Sequence, residues 1–307
     1  MGIAEIIPGV SGGTIAFVSG IYEQLINAIK SFSPALLGVF RREGGGGVWQ
    51  AVDGPFLALL MSGMALGIVI GVFGVSWFLE NYPPLIWGFF FGLIVASIIY
   101  MGQQIDTWGA AQVVLFVVGA IGAYLITAIA PATGSDSLLF VFLCGMIAIS
   151  ALILPGISGS FMLLLLGMYQ FIVQDTLKGL LTDFSMGRLL VLGVFAAGCT
   201  LGLMSISRVL SWTFKRYHAQ TLAVLTGFLL GSLNKIYPWR NATDWLRDHA
   251  GQIVMQSDGV TPKKVLVETN VLPSSYHGDP LVIGVCLVCL LGFAAVFLFD
   301  RLGKKMD

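Results

Sequence analysis

Charge is what this chain has least of. Lys and Arg together number 16 and Asp and Glu 16, so charged side chains are 10% of the 307 residues, against roughly 25% in an ordinary soluble domain. So few cannot cover a surface that faces water on every side. With hydrophobic residues at 57% and a mean hydropathy of +0.90, the scarcity excludes a soluble globular domain and implies a polytopic membrane protein. The formal net charge of zero also removes the electrostatic basis for nucleic-acid binding. Cysteine is sparse: Cys144, Cys199, Cys286 and Cys289 sit in apolar segments without a ligand-like partner nearby, so they read as packing residues. No metal and no cofactor is implied. No basic n-region leads into the first apolar stretch, so a cleavable signal peptide is not expected.

What is present is long apolar runs. A hydrocarbon core of ~30 Å needs about 20 apolar residues per helix, and six stretches meet that length, at 56–79, 84–101, 109–130, 188–213, 219–237 and 280–299. Two further apolar stretches, 1–29 and 137–173, are each cut by a Pro-Gly into pieces mostly too short to cross alone. The cut pieces are copies of one another. Offsetting the chain by about 147 residues lays IPGVSGGTIAFVSGIY over LPGISGSFMLLLLGMY, matching Pro8 to Pro155, Gly9 to Gly156, Ser11 to Ser158, Gly12 to Gly159, Gly20 to Gly167 and Tyr22 to Tyr169. GFFFGL from Gly88 lies over GFLLGS from Gly227 at a slightly different offset.

The expected fold is therefore an all-α polytopic membrane protein of two repeats. Residues 1–130 form the first and 131–307 the second, each a broken, re-entrant helical hairpin followed by three transmembrane helices. The second repeat also carries a polar insertion at 240–279. Basic residues in short segments set the orientation. Placing Lys30, Arg41 and Arg42 inside puts the turn around Glu80–Pro84 outside, Lys215 and Arg216 inside, the polar insertion outside, and the C-terminal Arg301, Lys304 and Lys305 in the cytoplasm. Lys178 and Arg188 dissent mildly, as outside charges. With both hairpins re-entrant, the two halves have inverted topology, as in many secondary transporters.

Backbone without helical hydrogen bonds is tolerated at membrane depth only where it is buried in protein or lines a polar cavity. A lone Pro-Gly in a membrane helix is ordinarily a kink, but a duplicated one with Ser or Thr beside it marks a site. Pro8 and Pro155 end one half-helix, and Gly9, Gly12, Gly13, Gly156 and Gly159 permit close backbone approach. Ser11, Thr14, Ser158 and Ser160 can cap the next half-helix and offer donors to an anion. Two such helix ends facing each other would hold one anion between them. Arg208 and Lys235 lie inside apolar stretches, where they either snorkel to the interface or face that anion. Glu5 and Glu23 flank the first motif, whereas Leu152 and Gln170 take the matching places in the second. That asymmetry suits a carboxylate carrying a coupled proton or sodium ion, the alternative being an ordinary surface position at a helix end.

The same letters spell G-x-S-G, the serine motif of rhomboid-type intramembrane proteases. Such chemistry needs a base, and the three histidines are poorly placed: His249 and His277 in the polar insertion, and His218 at the expected cytoplasmic surface beside Lys215 and Arg216. An enzyme is not expected. A small-anion channel or carrier remains the main alternative to a lipid carrier, and an intramembrane serine hydrolase the third.

The paired motifs, together with SISRVLSWTFKRYHAQTLAVLTGFLLGSLNKIYPW from Ser205 to Trp239, resemble the bacterial polyprenyl-phosphate transporter family, the undecaprenyl phosphate translocases. The resemblance covers essentially the whole chain. It implies a carrier in the bacterial cytoplasmic membrane that returns undecaprenyl phosphate from the outer to the inner leaflet, recycling the lipid for peptidoglycan, with membrane lipids around it. By position it points to Pro8, Gly9, Ser11, Gly12, Gly13 and Thr14, to Pro155, Gly156, Ser158, Gly159 and Ser160, and to Arg208, Arg216, His218 and Lys235. Family members usually begin with a basic, apolar helical lead, which the second motif has at 137–154. Here Met1 stands seven residues before Pro8, so the first hairpin is expected to be incomplete.

Overall fold

The computed structural model describes residues 1–6, 11–129, 134–178, 180, 184–245 and 265–303. Pro8 and Gly9 lie outside these residues, as do His249, Lys304 and Lys305. In their described residues the two motif copies share one order of elements. In the first, α1 (Gly2–Ile6) precedes the break, α2 (Gly12–Val18) follows it, and α3 (Tyr22–Ser31) turns back. The second repeats this with α9 (Leu138–Ile153), α10 (Gly159–Leu165) and α11, a π-helix at Gln170–Lys178. The turn between the short helix and the next is the same in both. Gly20 (φ 75°) and Gly167 (φ 67°) occupy the left-handed region, and the amides of Ile21 and Met168 reach back to the carbonyls of Ala16 and Leu163. This is a Schellman cap, which glycine permits at no steric cost, and in the second copy it bends the chain by 117°.

Between the motifs run α4 (Leu36–Ala51), kinked at Gly44, then α5 (Gly54–Ile70), a π-helical turn at Gly71–Val75 and α6 (Ser76–Asn81). Two more follow, α7 (Pro83–Gln103) and α8 (Ala110–Ala128). After the second motif come α12 (Met186–Arg216), α13 (His218–Ser232) and α14 (Val282–Gly303). Among the described residues, four helical stretches are long and apolar enough to cross a membrane: Gly54–Leu79, Pro83–Gln103, Ala110–Ala128 and Met186–Arg216. A fifth exists if the bent pair Gly159–Leu165 and Gln170–Leu177 counts as one. The chain is thus a multi-pass membrane protein. Its outward faces carry exposed Leu59, Phe73, Ile283 and Leu290, side chains that lipid rather than water solvates.

Two expectations change. The expected span at 219–237 ends as a helix at Ser232, where Gly156 of the second break lies close to the Phe228 carbonyl and the Ser232 hydroxyl of its last turn. At about 1.5 Å per residue its 15 residues reach only ~22 Å. The polar insertion, read as part of an all-α protein, contributes an antiparallel ribbon of β1 (Arg240–Trp245) and β2 (Val265–Asn270).

Helix packing runs both across and within the two halves of the chain: α7 packs on α14 and α8 on α13 across them, α9 on α12 and α1 on α5 within them. Small residues make the approach close. Gly88 and Gly92 of α7 meet α14 at Val285 and Cys289, and Gly227 and Gly231 of α13 meet α8 at Phe116 and Ala120. These are small-xxx-small seams, the means by which membrane helices associate where water supplies no hydrophobic force between them. The principal core, which includes Phe17, Tyr22, Ile26, Ile94, Leu225 and Leu229, gathers around α2 and α3.

Candidate functional site

The two motif copies touch. Ser11, fully buried, caps α2: its hydroxyl accepts from the Thr14 amide at 3.3 Å and donates to the Leu154 carbonyl of the second motif at 3.4 Å. Thr14, also fully buried, accepts through Oγ1 from the Gly156 amide at 2.9 Å. Gly13 faces the Ile153 carbonyl so closely that a Cβ there would collide with it. Side chains of the first motif thus satisfy backbone groups of the second break, about 142 positions away. Pro155 is fully buried, and Gly156 (φ 84°) makes the turn that aims its amide at Thr14.

Each short helix then presents its first turn differently. In α2 the Gly12 amide donates to Glu5 Oε1 at 2.8 Å, so a carboxylate of the chain already sits where an anion was expected. In α10 the Ser158 hydroxyl caps no backbone amide of the helix and instead lies 2.9 Å from the Ser160 hydroxyl in the first turn. Ser158 is buried and Ser160 exposed, and a Cβ on Gly159 would press on the Ala148 carbonyl at 2.5 Å. Both helices are seven residues long, so their macrodipole is small and any attraction for an anion rests on amide and hydroxyl donors.

The remaining expected residues divide among three places. Arg208, half-buried on α12, donates from Nη1 to the Met204 carbonyl one turn back at 2.7 Å. His218 and Glu23 form an exposed pair, Nε2 to Oε1 2.9 Å, beside Arg216 in the exposed last turn of α12. A small cleft adjoins this pair, lined by Glu23, Ile26, Asn27, Ser211, Phe214 and Lys215. Lys235, past the end of α13, lies over the Phe161 ring of α10 at 5.0 Å and 3.8 Å from Glu268 Oε2.

Several polar residues at these places were not singled out from sequence. Lys30 donates to the Ser211 hydroxyl at 3.0 Å, which donates to Asn27 Oδ1 at 2.9 Å, tying α3 to α12. Arg240, its side chain 5% exposed, stacks on Trp87 at 4.2 Å and donates to Glu268 at 2.7 Å. Burial pulls its guanidinium pKa down, and the Glu268 carboxylate opposes that. Arg240 could have been noticed as a charge beside the apolar run; its burial could not. Among the described residues, no group of three or more His, Cys, Asp or Glu side chains could hold a metal ion.

Comparison with known proteins bears on what this arrangement serves. The model of the undecaprenyl phosphate translocase-like family matches residues 1–254, a range that includes both motifs, Arg208, Lys235 and Arg240. A Vibrio cholerae serotype O1 protein named polyprenyl-phosphate transporter is similar at 42% identity over 254 residues, 83% of this chain and 80% of its own length. A Staphylococcus aureus protein of the same name is 30% identical over 252 residues, 78% of this chain and 83% of its own. No solved structure matches the chain.

Proposed function

The chain belongs to the undecaprenyl phosphate translocase-like family, and from that premise we propose that it carries undecaprenyl phosphate across the bacterial cytoplasmic membrane, outer leaflet to inner, returning the lipid carrier for reuse. The observation that supports this most is the meeting of the two breaks, Ser11 and Thr14 against Leu154 and Gly156. A duplicated break buried at one point of a membrane protein is where a polar headgroup is best accommodated, while the prenyl tail stays in lipid.

In this reading residues 1–130 and 131–307 are inverted repeats, and the exchange of helix partners, α7 with α14 and α8 with α13, is the packing a pseudo-two-fold would produce. The phosphate is held by Ser11, Gly12, Gly13 and Thr14 from one side and by Ser158, Gly159 and Ser160 from the other, with Arg208 turning from Met204 toward it. Glu5 competes with the phosphate for the Gly12 amide; a proton on Glu5 weakens that hold, which makes a proton the favoured coupling ion. Glu23, His218 and Arg216 lie at the cytoplasmic end and receive the headgroup there. The serine hydroxyls contact Thr14, Leu154 and Ser160 rather than a base, which favours binding over hydrolysis.

The test is reconstitution into liposomes with a short-chain fluorescent prenyl phosphate in the outer leaflet. Wild type moves it inward, and Ser11→Ala and Ser158→Ala each slow that movement. Equal rates in all three contradict the site; no movement by wild type contradicts the function.

A further inference from the structure

The second break has a neighbour the preceding reading leaves largely unused. Because α13 stops at Ser232 against Gly156, the turn after it lies beside the break, and Lys235 reaches over Phe161. Phe161 directly follows Ser160, whose hydroxyl pairs with Ser158. Arg240 comes to the same spot from β1, held flat on Trp87. Both cations share one oxygen: Glu268 Oε2 accepts from Arg240 Nη1 at 2.7 Å and stands 3.8 Å from Lys235 Nζ. Glu268 belongs to β2, which Asn270 ties to the carbonyl and side chain of Asn234 at 3.0 and 2.8 Å.

The arithmetic of charge and donors is incomplete. Among the described residues, two cations and one carboxylate leave one positive charge, in a place where Arg240 is almost fully buried. Arg240 Nε is buried with no acceptor, and Lys235 Nζ is too far from Glu268 for a hydrogen bond. Buried cations without matching acceptors are costly. A phosphate group carries about −1.5 to −2 at pH 7 and three acceptor oxygens, enough charge for both cations and enough oxygens for the idle donors. Arginine's planar fork matches such an anion in two-point contact.

We propose that Lys235 and Arg240 form a phosphate-receiving site beside the second helix break, and that Glu268 occupies it as a stand-in anion which an arriving phosphate group displaces. Glu268 lies past residues 1–254, the range the family model matches. The inference rests on the reading that the breaks take a phosphate headgroup, and it adds where that group is first received.

The test is binding of farnesyl phosphate to the full chain in detergent, with farnesol and inorganic phosphate as competitors and a thermal melt to verify folding. Glu268→Gln keeps an acceptor for Arg240 but removes the competing charge, and it tightens farnesyl phosphate at least tenfold, or about 1.4 kcal/mol. Adding Lys235→Gln to that variant cancels the gain. Competition by inorganic phosphate as strong as by the prenyl phosphate assigns the site to free phosphate; competition only by the prenyl phosphate assigns it to the lipid headgroup. A folded Glu268→Gln chain with unchanged or weaker affinity overturns the inference. If Ser11→Ala and Ser158→Ala still lower affinity in that case, the underlying reading stands. If neither wild type nor Glu268→Gln binds farnesyl phosphate, both fall.

Discussion

Replacing Thr14 by valine removes a single contact between the two breaks while keeping the side chain's shape. In the native chain Thr14 Oγ1 accepts from the Gly156 amide at 2.9 Å, in full burial. Valine cannot accept, so the Gly156 N–H is left buried and unpaired at a turn whose φ of 84° holds it pointing there. Stranding a buried donor costs about 1–3 kcal/mol, and side-chain hydrogen bonds in membrane proteins average ~0.6 with a maximum of ~1.7 kcal/mol. We therefore expect a loss of about 1–2 kcal/mol, a ~5- to 30-fold shift in the unfolding equilibrium. Unfolding in a mixed-micelle titration measures it, with amide hydrogen exchange at Gly156 as a local readout. Thr14→Ser retains the acceptor and loses one methyl, about 0.8 kcal/mol, with Gly156 protection intact. A valine variant with wild-type stability and wild-type protection at Gly156 would refute the claim that the breaks hold each other.

Four other substitutions separate conformational, packing and surface-pair effects. Gly20→Ala and Gly156→Ala both force a left-handed residue, costing roughly 1–2 kcal/mol. Gly156→Ala melts lower still, because its Cβ would lie 2.8 Å from the Phe228 carbonyl while nothing lies within 4 Å at Gly20; equal melting of the two sinks this reasoning. Gly227→Leu drives a side chain into the α8 backbone at Phe116 and costs more than ~3 kcal/mol, seen as loss of folded protein on extraction. His218→Ala breaks an exposed pair with Glu23 worth under ~1 kcal/mol, so the melt stays near wild type while transport slows. A large drop in the melt would show that pair to be structural.

Much of this architecture is legible in the letters. The duplicated P-G-x-S-G announces two breaks, and the matched Gly20 and Gly167 announce one turn used twice, since a left-handed Schellman position calls for glycine. The GFFFGL and GFLLGS echo is legible too, and the structure puts both stretches at close helix seams. What is not legible depends on contacts across the chain. Hydropathy carries the fifth span on to Tyr237, but the helix stops at Ser232, beside Gly156 from 76 residues earlier. Glu5 as the partner of the Gly12 amide is hidden because the intervening Pro-Gly breaks the local periodicity. Arg240 reads as a solvated charge at the start of a polar insertion, and only the placement of Trp87 and Glu268 around it shows a buried one. Arg208, which sequence leaves open between snorkelling and facing an anion, donates to the Met204 carbonyl in this structure.

The central claim is that the paired breaks hold a prenyl-linked phosphate, and equilibrium binding tests it most directly. Undecaprenyl phosphate is titrated into the purified full chain and competed with chloride, inorganic phosphate and a neutral prenyl alcohol. Tight binding of the prenyl phosphate, displaced by neither chloride nor the alcohol and weakened by Ser11→Ala and by Ser158→Ala, is the expected result. Tight binding of chloride or phosphate alone, with no preference for the prenyl chain, would contradict the account and make the breaks a small-anion path.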